Sequence, residues 1–201
     1  MSLYPLMLDG MALRALVVGG GAVALRKTRA LLTAGASVRV VAPAIDAGFA
    51  AIDQDRLAIE RKNYASDDIG DATLVIAATS SRAVNARVAR DARARDRLVN
   101  VADAPEDGTC VTPAVHRAGD LVIAVSAGRV PTVAARVRDC IAARYAEPYA
   151  AAIAELSALR SRILGGGDRQ GWRRVVDAVI DREFCEIVEH GELASRLEPW
   201  R

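Results

Sequence analysis

A short apolar run that ends in three consecutive glycines most strongly constrains what this chain can fold into. Residues 15–18 read ALVV, and Gly19, Gly20 and Gly21 follow directly. The next stretch, AVALRKTRALLTAGA, carries apolar residues at helical spacing and contains Gly35 near its end. A buried strand, a glycine turn and an amphipathic helix closed by a glycine fit this pattern. The chain is therefore predicted to begin with a strand–loop–helix unit.

The alternation of strand and helix continues through the first half of the chain. The stretches SVRVVAP, RLAIERKNY, LVIAAT and RLVNVAD read as four more strands, and Ser81 is placed to cap a helix between the last two. LVIAAT is apolar on both faces, as parallel strands covered by helices are. This spacing predicts an α/β fold, a Rossmann-type doubly wound parallel sheet over residues 1–112.

The pattern changes in the second half. LVIAVSAG reads as a strand, TPAV before it as helix-like, and TVAARVRDCIAARYAEPYAAAIAEL as helical, with Pro148 breaking that helix or starting a new one. Glycines at 165–167 precede a last helical pair, GWRRVVDAVIDREFCEIVEH and ELASRL. We expect a small α/β segment over residues 113–146, followed by a C-terminal helical region over residues 147–201.

The glycine loop has the spacing of a phosphate-binding turn. Gly19 permits the tight turn, Gly21 lets the backbone approach a pyrophosphate, and Ala24 is small enough for the helix to pack on the strand. The start of the helix offers free N–H groups and the positive end of a dipole. Glycine turns also join strands to helices for purely structural reasons, but the strand–helix context here favours nucleotide binding.

The acidic residue that usually binds the ribose of NAD is missing from its expected place. The second strand ends in Val41-Ala42-Pro43-Ala44, without Asp or Glu, and alternation turns Arg39 away from the ribose. The loop alone therefore leaves NAD and NADP open. We expect the backbone of Pro43 and Ala44 to contact the adenosine.

Composition narrows the class of protein. The net charge of +2, from 27 basic and 25 acidic residues, argues against nucleic acid as a partner. No apolar run approaches the roughly 18 residues of a membrane span, and the start of the chain lacks the pattern of a signal peptide, so we expect a cytoplasmic protein. Three widely spaced cysteines indicate neither a disulfide framework nor a zinc site.

Longer phrases carry a resemblance to a known family. They are YPLMLD, VVGGGAVALRKTRALLTAGASVRVVAP, LVIAATSSRAVNARVA, VNVADAPEDGTCVTPAV and DLVIAVSAGRVPTVAARVRD. On these phrases the chain resembles the precorrin-2 dehydrogenase family, which includes the N-terminal modules of bifunctional and trifunctional siroheme synthases. The resemblance implies NAD as cofactor and oxidation of precorrin-2, a reduced tetrapyrrole, to sirohydrochlorin, on the way to siroheme or cobalamin. It also implies a homodimer formed through the central segment, residues 113–146. We expect the methyltransferase module of trifunctional relatives to be absent.

The resemblance assigns a catalytic role to Asp103. The family's N-V-x-D phrase is Asn100-Val101-Ala102-Asp103 here, at the carboxyl end of the fifth strand, where open α/β sheets bind their ligands. A carboxylate there can accept a ring proton or hold the macrocycle. The alternative is a turn-forming aspartate before Ala104-Pro105. His116 is a second catalytic candidate, for oxidation or for metal insertion, although no further ligand at helical spacing accompanies it.

A loop after the LVIAVSAG strand departs from the family pattern. Arg129 stands where relatives often have a glycine, and Ala127 stands where some relatives have a serine that is modified. We predict that Ser126 and Arg129 contact the substrate, with Arg129 pairing a carboxylate of the tetrapyrrole. A solvent-exposed loop arginine is the alternative.

The predicted site thus combines one cofactor and one substrate, and no metal ligands are identified. The predicted contacts to NAD are Gly19, Gly21, Ala22, Val23, Ala24, Pro43, Ala44 and Thr79. Two alternatives to a simple dehydrogenase stay open. One is a bifunctional enzyme that also inserts iron as a ferrochelatase, and the other is a non-catalytic Rossmann module that senses a nucleotide.

Overall fold

The computed structural model describes residues 3–52, 55–128 and 130–201, so Arg129 lies outside the described residues. The chain divides into two compact units, the first ending at Thr112 and the second running from Pro113 to Arg201. Each unit is described by itself. The separation of residues 113–146 from residues 147–201 stays a prediction.

A five-stranded parallel sheet forms the centre of the first unit. Its strands are β1 (Arg14–Val18), β2 (Ser37–Val41), β3 (Leu57–Glu60), β4 (Leu74–Ala77) and β5 (Leu98–Val101). They lie in the order β3-β2-β1-β4-β5, and every neighbouring pair is parallel. The predicted Rossmann-type fold is confirmed.

Helices cover both faces of this sheet because the strands are apolar on both sides. Helix α1 (Ala22–Thr33) packs Leu25 and Leu32 against the face that carries Val17. Helix α2 (Arg82–Arg93) packs Val88 against the opposite face, which carries Leu16. The hydroxyl oxygen of Ser81 accepts a hydrogen bond from the amide of Val84 at 3.4 Å, so the predicted helix cap is present.

The strand order places a switch point between β1 and β4. The chain leaves β1 through α1 and reaches β2 on one side, whereas β4 pairs with β1 on the other side and is followed by α2. In open α/β sheets the crevice beyond the carboxyl ends of two such strands is the usual ligand site. Gly19 and Thr79 follow these two ends.

The second unit combines a hairpin with helices. Its elements are β6 (Ala114–Ala118), β7 (Leu121–Val125), α3 (Pro131–Arg144), α4 (Glu147–Gly165), α5 (Arg169–Val179), α6 (Phe184–Glu189) and α7 (Leu193–Leu197). Strands β6 and β7 are antiparallel. Pro148 is in the first turn of α4, so the second of the two predicted outcomes, a new helix, is confirmed.

Two local predictions in this unit are wrong. The segment TPAV is not helical, because Ala114 begins β6, which pairs along its whole length with β7 through a tight turn at Gly119 with φ of +56°. The predicted helix GWRRVVDAVIDREFCEIVEH is two helices, α5 and α6. Between them the carboxylate of Asp181 accepts a hydrogen bond from the amide of Glu183 at 2.9 Å, and this side-chain turn competes with helix continuation.

A separate apolar core holds the second unit together. Leu156 and Leu159 of α4 pack with Val175 of α5, Ile187 of α6 and Leu197 of α7. Within the described residues, no helix is both long and apolar enough to cross a membrane.

Candidate active site

The glycine loop after β1 is closed by backbone on two sides. Gly19 has φ of +128°, and a Cβ atom there would lie 2.2 Å from the carbonyl oxygen of Ala78 at the end of β4. A Cβ atom on Gly20 would lie 2.0 Å from the carbonyl oxygen of Ala44. The amide of Gly19 also donates to the carbonyl oxygen of Val41 at 3.0 Å. Both positions therefore require glycine for structural reasons.

Gly21 differs from its two neighbours because it faces open space. A Cβ atom there would meet no heavy atom within 4 Å, and its φ of −86° is accessible to any residue. Ala22 and Val23, which begin α1, are exposed, whereas Ala24 is fully buried against the sheet. The first amides of α1 therefore point to an open surface with no side chain on Gly21 to cover it. This cradle fits the pyrophosphate of a dinucleotide.

The segment after β2 forms another wall of the loop. Pro43 and Ala44 are exposed, and the amide of Asp46 donates to the carbonyl oxygen of Gly20 at 2.8 Å. The carboxylate of Asp46 accepts from the amide of Gly48 at 2.7 Å. Asp46 is the first acid after β2, and sequence reasoning missed it because it lies in a turn beyond the end of the strand.

Arg39 takes no part in this wall. Its guanidinium lies 3.3 Å from Glu60 on β3 and also donates to the carbonyl oxygen of Asp68. The alternation argument that turned it away from the ribose agrees with these contacts.

Thr79 and Asp103 are joined through a side chain that sequence reasoning missed. Asn85 of α2 is fully buried, and its Oδ1 accepts from the amide of Thr79 at 3.1 Å and from the Thr79 hydroxyl at 2.7 Å. Its Nδ2 donates to the carbonyl oxygen of Thr79 at 3.1 Å and to Oδ1 of Asp103 at 2.9 Å. The available signal was a polar residue on the face of α2 that also carries Val88.

Asp103 itself lies just beyond the carboxyl end of β5. The amide of Ala102 donates to the carbonyl oxygen of Ala77 at 2.9 Å, which continues the strand ladder, and Ala104 is fully buried. Asp103 is exposed between these anchored neighbours. Its backbone is therefore fixed while its carboxylate is open to solvent or a ligand.

A second polar cluster lies on the α1 side of the sheet. Lys27 of α1 donates from Nζ to Oδ1 of Asn100 at 2.8 Å and to the Thr112 hydroxyl at 2.9 Å. Nδ2 of Asn100 donates in turn to the carbonyl oxygen of Cys110 at 3.1 Å. Burial, and secondarily the charge of Arg26, lowers the pKa of Lys27 to about 8. Asn100, the first residue of the N-V-x-D phrase, therefore connects β5 to Lys27 of α1 and to the backbone at Cys110.

The remaining predicted residues belong to the second unit. His116 is half-buried on β6, and its Nε2 bonds to the carbonyl oxygen of Tyr145. Ser126 is exposed just after β7. Arg129 falls outside the described residues. Among the residues that the structure describes, no group of three or more His, Cys, Asp or Glu side chains is arranged to hold a metal ion.

Comparison with known proteins supports the reading of the first unit. Residues 6–114, more than half of the chain, match the model of a family described as putative NAD(P)-binding. The chain belongs to this NAD(P)-binding family. The sequence-based prediction of a nucleotide-binding domain is thereby confirmed.

Longer relatives cover nearly the whole chain. A siroheme synthase from Pseudomonas entomophila (strain L48) is 42% identical over 185 residues, which is 91% of this chain and 38% of that protein. A siroheme synthase from Chromobacterium violaceum is 36% identical over 205 residues, which is 98% of this chain and 43% of that protein. The chain thus spans about two-fifths of the length of these relatives.

A solved structure is similar over both units. It is described as SirC, precorrin-2 dehydrogenase, with a TM-score of 0.78 and 28% sequence identity, and the match covers 98% of this chain and 100% of that one. The resemblance drawn from the sequence phrases is confirmed by this match and by the siroheme synthases.

Gly21 offers a direct test of cofactor binding in this NAD(P)-binding family member. We expect Gly21→Val to lower the free energy of unfolding by only about 1 kcal/mol, the cost of valine at the N-cap of α1, because the site is open and the backbone is extended. The same side chain fills the cradle, so the Kd for NAD should rise at least about tenfold. Calorimetric titration and urea denaturation measure the two quantities.

Gly19→Ala is the contrasting variant. Its positive φ and the 2.2 Å approach to Ala78 predict a loss of at least about 2 kcal/mol in the free energy of unfolding. Unchanged NAD affinity in Gly21→Val would contradict the cradle.

The two lysines of the chain should titrate at clearly different pH. The pKa of Lys27 is lowered to about 8, whereas hydrogen bonds and ion pairs with Asp68 and Glu60 raise the pKa of Lys62. Reductive methylation with ¹³C-formaldehyde followed by an NMR pH titration resolves both amines, with Lys27→Met and Lys62→Met as assignment controls. A Lys27 signal that titrates above pH 10 would be inconsistent with its buried contacts.

The lowered pKa also sets the sign of the pH effect on stability. From about pH 8 to pH 10.5 the unfolded chain holds the Lys27 proton more tightly than the folded chain does. The contribution of Lys27 to the free energy of unfolding therefore increases as pH rises through this window. Urea denaturation at pH 7.5 and pH 9, with Lys27→Met as the control, measures the difference.

Proposed function

We propose that this chain is an NAD-dependent precorrin-2 dehydrogenase that oxidises precorrin-2 to sirohydrochlorin. The observation that carries the proposal is the placement of Asp103. Its carboxylate is exposed beyond β5 and is joined through Asn85 to Thr79, at the strand end that closes the glycine loop. A nucleotide cradle and a carboxylate therefore share one edge of the sheet. The similarity of both units to a precorrin-2 dehydrogenase structure supports this assignment.

The chemistry divides between the cofactor and the chain. When NAD is bound, it supplies the oxidising equivalent, because its nicotinamide accepts a hydride. Gly21 and the first amides of α1 would bind the pyrophosphate, and Pro43 and Thr79 would contact the rest of the dinucleotide. Asp103 accepts the proton that the macrocycle loses in the same oxidation, or holds a pyrrole N–H while the hydride leaves.

The second unit is proposed to contribute to substrate binding. Ser126 offers an exposed hydroxyl after β7, and Arg129 is proposed to pair with a carboxylate of the tetrapyrrole. His116 is proposed to act on the substrate from β6, with its bond to Tyr145 orienting the ring. The protein is proposed to work in the cytoplasm.

A second activity, insertion of iron into sirohydrochlorin, is favoured by the siroheme synthase relatives at up to 42% identity. The nitrogens of the tetrapyrrole supply most of the metal ligands in such a reaction, so no preformed metal site is needed. Incubation of purified sirohydrochlorin with ferrous iron and this protein distinguishes a bifunctional enzyme from a dehydrogenase.

The dehydrogenase proposal predicts a strong effect of Asp103 substitutions. In anaerobic assays with precorrin-2 and NAD, we expect Asp103→Ala to lower kcat by at least about a hundredfold, the usual contribution of a positioned acid–base group. Asp67→Asn, which changes a fully exposed carboxylate of the same unit, is the matched control and should leave kcat unchanged. NADH absorbance and the spectrum of the product follow the reaction.

Two results would overturn this proposal. Unchanged oxidation by Asp103→Ala removes the role of the carboxylate. No oxidation by the intact protein that still binds NAD favours the nucleotide-sensing alternative.

We also propose that the chain forms a homodimer through the central segment. Helix α3 buries only Ala134 fully among its described residues, while Val133 and Val137 lie four residues apart on one face and are 48% and 42% exposed. Both strands of the neighbouring hairpin lack fully buried residues. A second copy of the chain is the proposed cover for this apolar surface.

The dimer proposal predicts the effect of charge on α3. Light scattering of the wild-type protein at micromolar concentration should give twice the mass of the 21.3 kDa chain, and Val137→Glu should give the monomer mass. Ile180→Glu is the control, since Ile180 is an exposed apolar residue of the same unit outside α3. A monomer mass for the wild type would contradict the proposal.

A further inference from the structure

Asn85 is the one polar side chain among the described buried residues of α2. The other fully buried residues of this helix are Val88, Ala89 and Ala92, all apolar and all packed against one face of the sheet. An amide in such a position costs free energy unless every polar atom is bonded. Asn85 meets that condition, with four hydrogen bonds between 2.7 and 3.1 Å.

The bonding partners determine which way the amide points. Oδ1 faces two donors on Thr79, the amide and the hydroxyl. Nδ2 faces two acceptors, the carbonyl oxygen of Thr79 and Oδ1 of Asp103. A flipped amide would set its oxygen against both acceptors and its nitrogen against the Thr79 amide. Asn85 must therefore donate to Asp103 whenever the helix is in place.

This donation tethers an otherwise free carboxylate. Asp103 is exposed, and among the described contacts the Asn85 amide is the one that reaches its carboxylate, at Oδ1. The second carboxylate oxygen is left for a ligand. The same amide also bonds to Thr79. Thr79 lies next to the glycine loop, because a Cβ atom on Gly19 would be 3.1 Å from the Thr79 nitrogen. One buried side chain thus touches both the wall of the cofactor cradle and the proposed acid–base group.

We propose that Asn85 is a positioning residue for the oxidation, setting the Asp103 carboxylate at a fixed place relative to the end of β4. The inference rests on the proposed dehydrogenase function. A carboxylate that is already in place requires no reorganisation when the ring proton moves. Positioned groups therefore raise kcat rather than lower KM. A purely structural Asn85 would need its bonds to Thr79 but not its bond to Asp103.

The test uses two substitutions at Asn85 in the full chain. Asn85→Ala removes the donor, and we expect kcat to fall about tenfold to a hundredfold, the equivalent of one hydrogen bond to a charged group. The three bonds to Thr79 are lost as well, so a rise in KM for NAD measures the change at the cradle separately from the fall in kcat. Asn85→Asp keeps the shape but sets a second carboxylate against Asp103. Asn85 is fully buried and its Nδ2 meets two acceptors, so the new carboxyl group can bond there only in its protonated form, which donates to Asp103 as the amide does. The kcat of Asn85→Asp should therefore fall as pH rises and the buried proton is lost, a decline that Asn85→Ala should not show.

A matched control separates positioning from folding. Val88→Ala truncates a fully buried residue one turn further along the same helix, and we expect it to lower the melting temperature without moving the pH profile. In the Asp103→Ala background, Asn85→Ala should cause little further loss of kcat, because the two residues act as one unit. Should Asn85→Ala fail to fold, Asn85→Asp at low pH, where the buried acid is protonated and donates as the amide does, still supplies kcat.

The outcomes separate this inference from the proposed function. Loss of activity in Asp103→Ala, together with wild-type kcat and pH profile in both Asn85 variants, overturns the positioning role alone. Full activity in Asp103→Ala, or no oxidation by the wild type, overturns the proposed function and the inference with it. Additive losses in the double variant would show that Asn85 acts independently of Asp103.

Discussion

The close approach of two backbones at the ends of β1 and β4 is the constraint on which this site depends. Gly19 takes a conformation with positive φ so that its α-carbon can lie against the carbonyl group of Ala78. This contact brings the turn after β1 beside the end of the neighbouring strand. The start of α1, the wall at Thr79 and the carboxylate beyond β5 then fall along one edge of the sheet.

Buried polar side chains complete what backbone contacts begin. Asn85 and Asn100 are each fixed on one side of the sheet, the first tied to Thr79 and Asp103 and the second to Lys27 and the backbone of Cys110. Both are almost wholly excluded from solvent, and each uses its amide as both donor and acceptor. Such networks are stable only when complete, so they specify geometry rather than add stability.

Much of the fold followed from local patterns. The order of strands and helices in the first unit could be predicted because apolar runs, a glycine turn and a serine cap at Ser81 all indicated the same structure. The wrong predictions fell where a strand's pairing partner is not visible in the local sequence, or where a side-chain turn competes with continuation of a helix. The stretch before His116 has helix-like residues, but its partner strand β7 decides its conformation. The last helical pair is interrupted by the side-chain turn at Asp181.

The candidate site was only partly accessible to the same reasoning. Motif spacing and family resemblance pointed to Gly19, Gly21 and Asp103, because the two glycines lie in the turn after β1 and Asp103 follows the end of β5. Asn85 and Lys27 escaped notice since their importance arises from contacts 18 and 73 residues away along the chain. For Asn85 the local sequence shows only its place on the face of α2 that carries Val88, and it does not identify the distant partners.

The unequal surroundings of Gly19 and Gly21 bear on how this domain would change over evolutionary time. Replacement of Gly19 harms folding itself, so selection retains it in any descendant that still folds, whatever that descendant does. Replacement of Gly21 meets no obstacle from the protein's own atoms. A descendant that has lost its cofactor should therefore first accumulate side chains at Gly21 while keeping the glycine two residues before it, and this difference separates an inherited scaffold from a working nucleotide site.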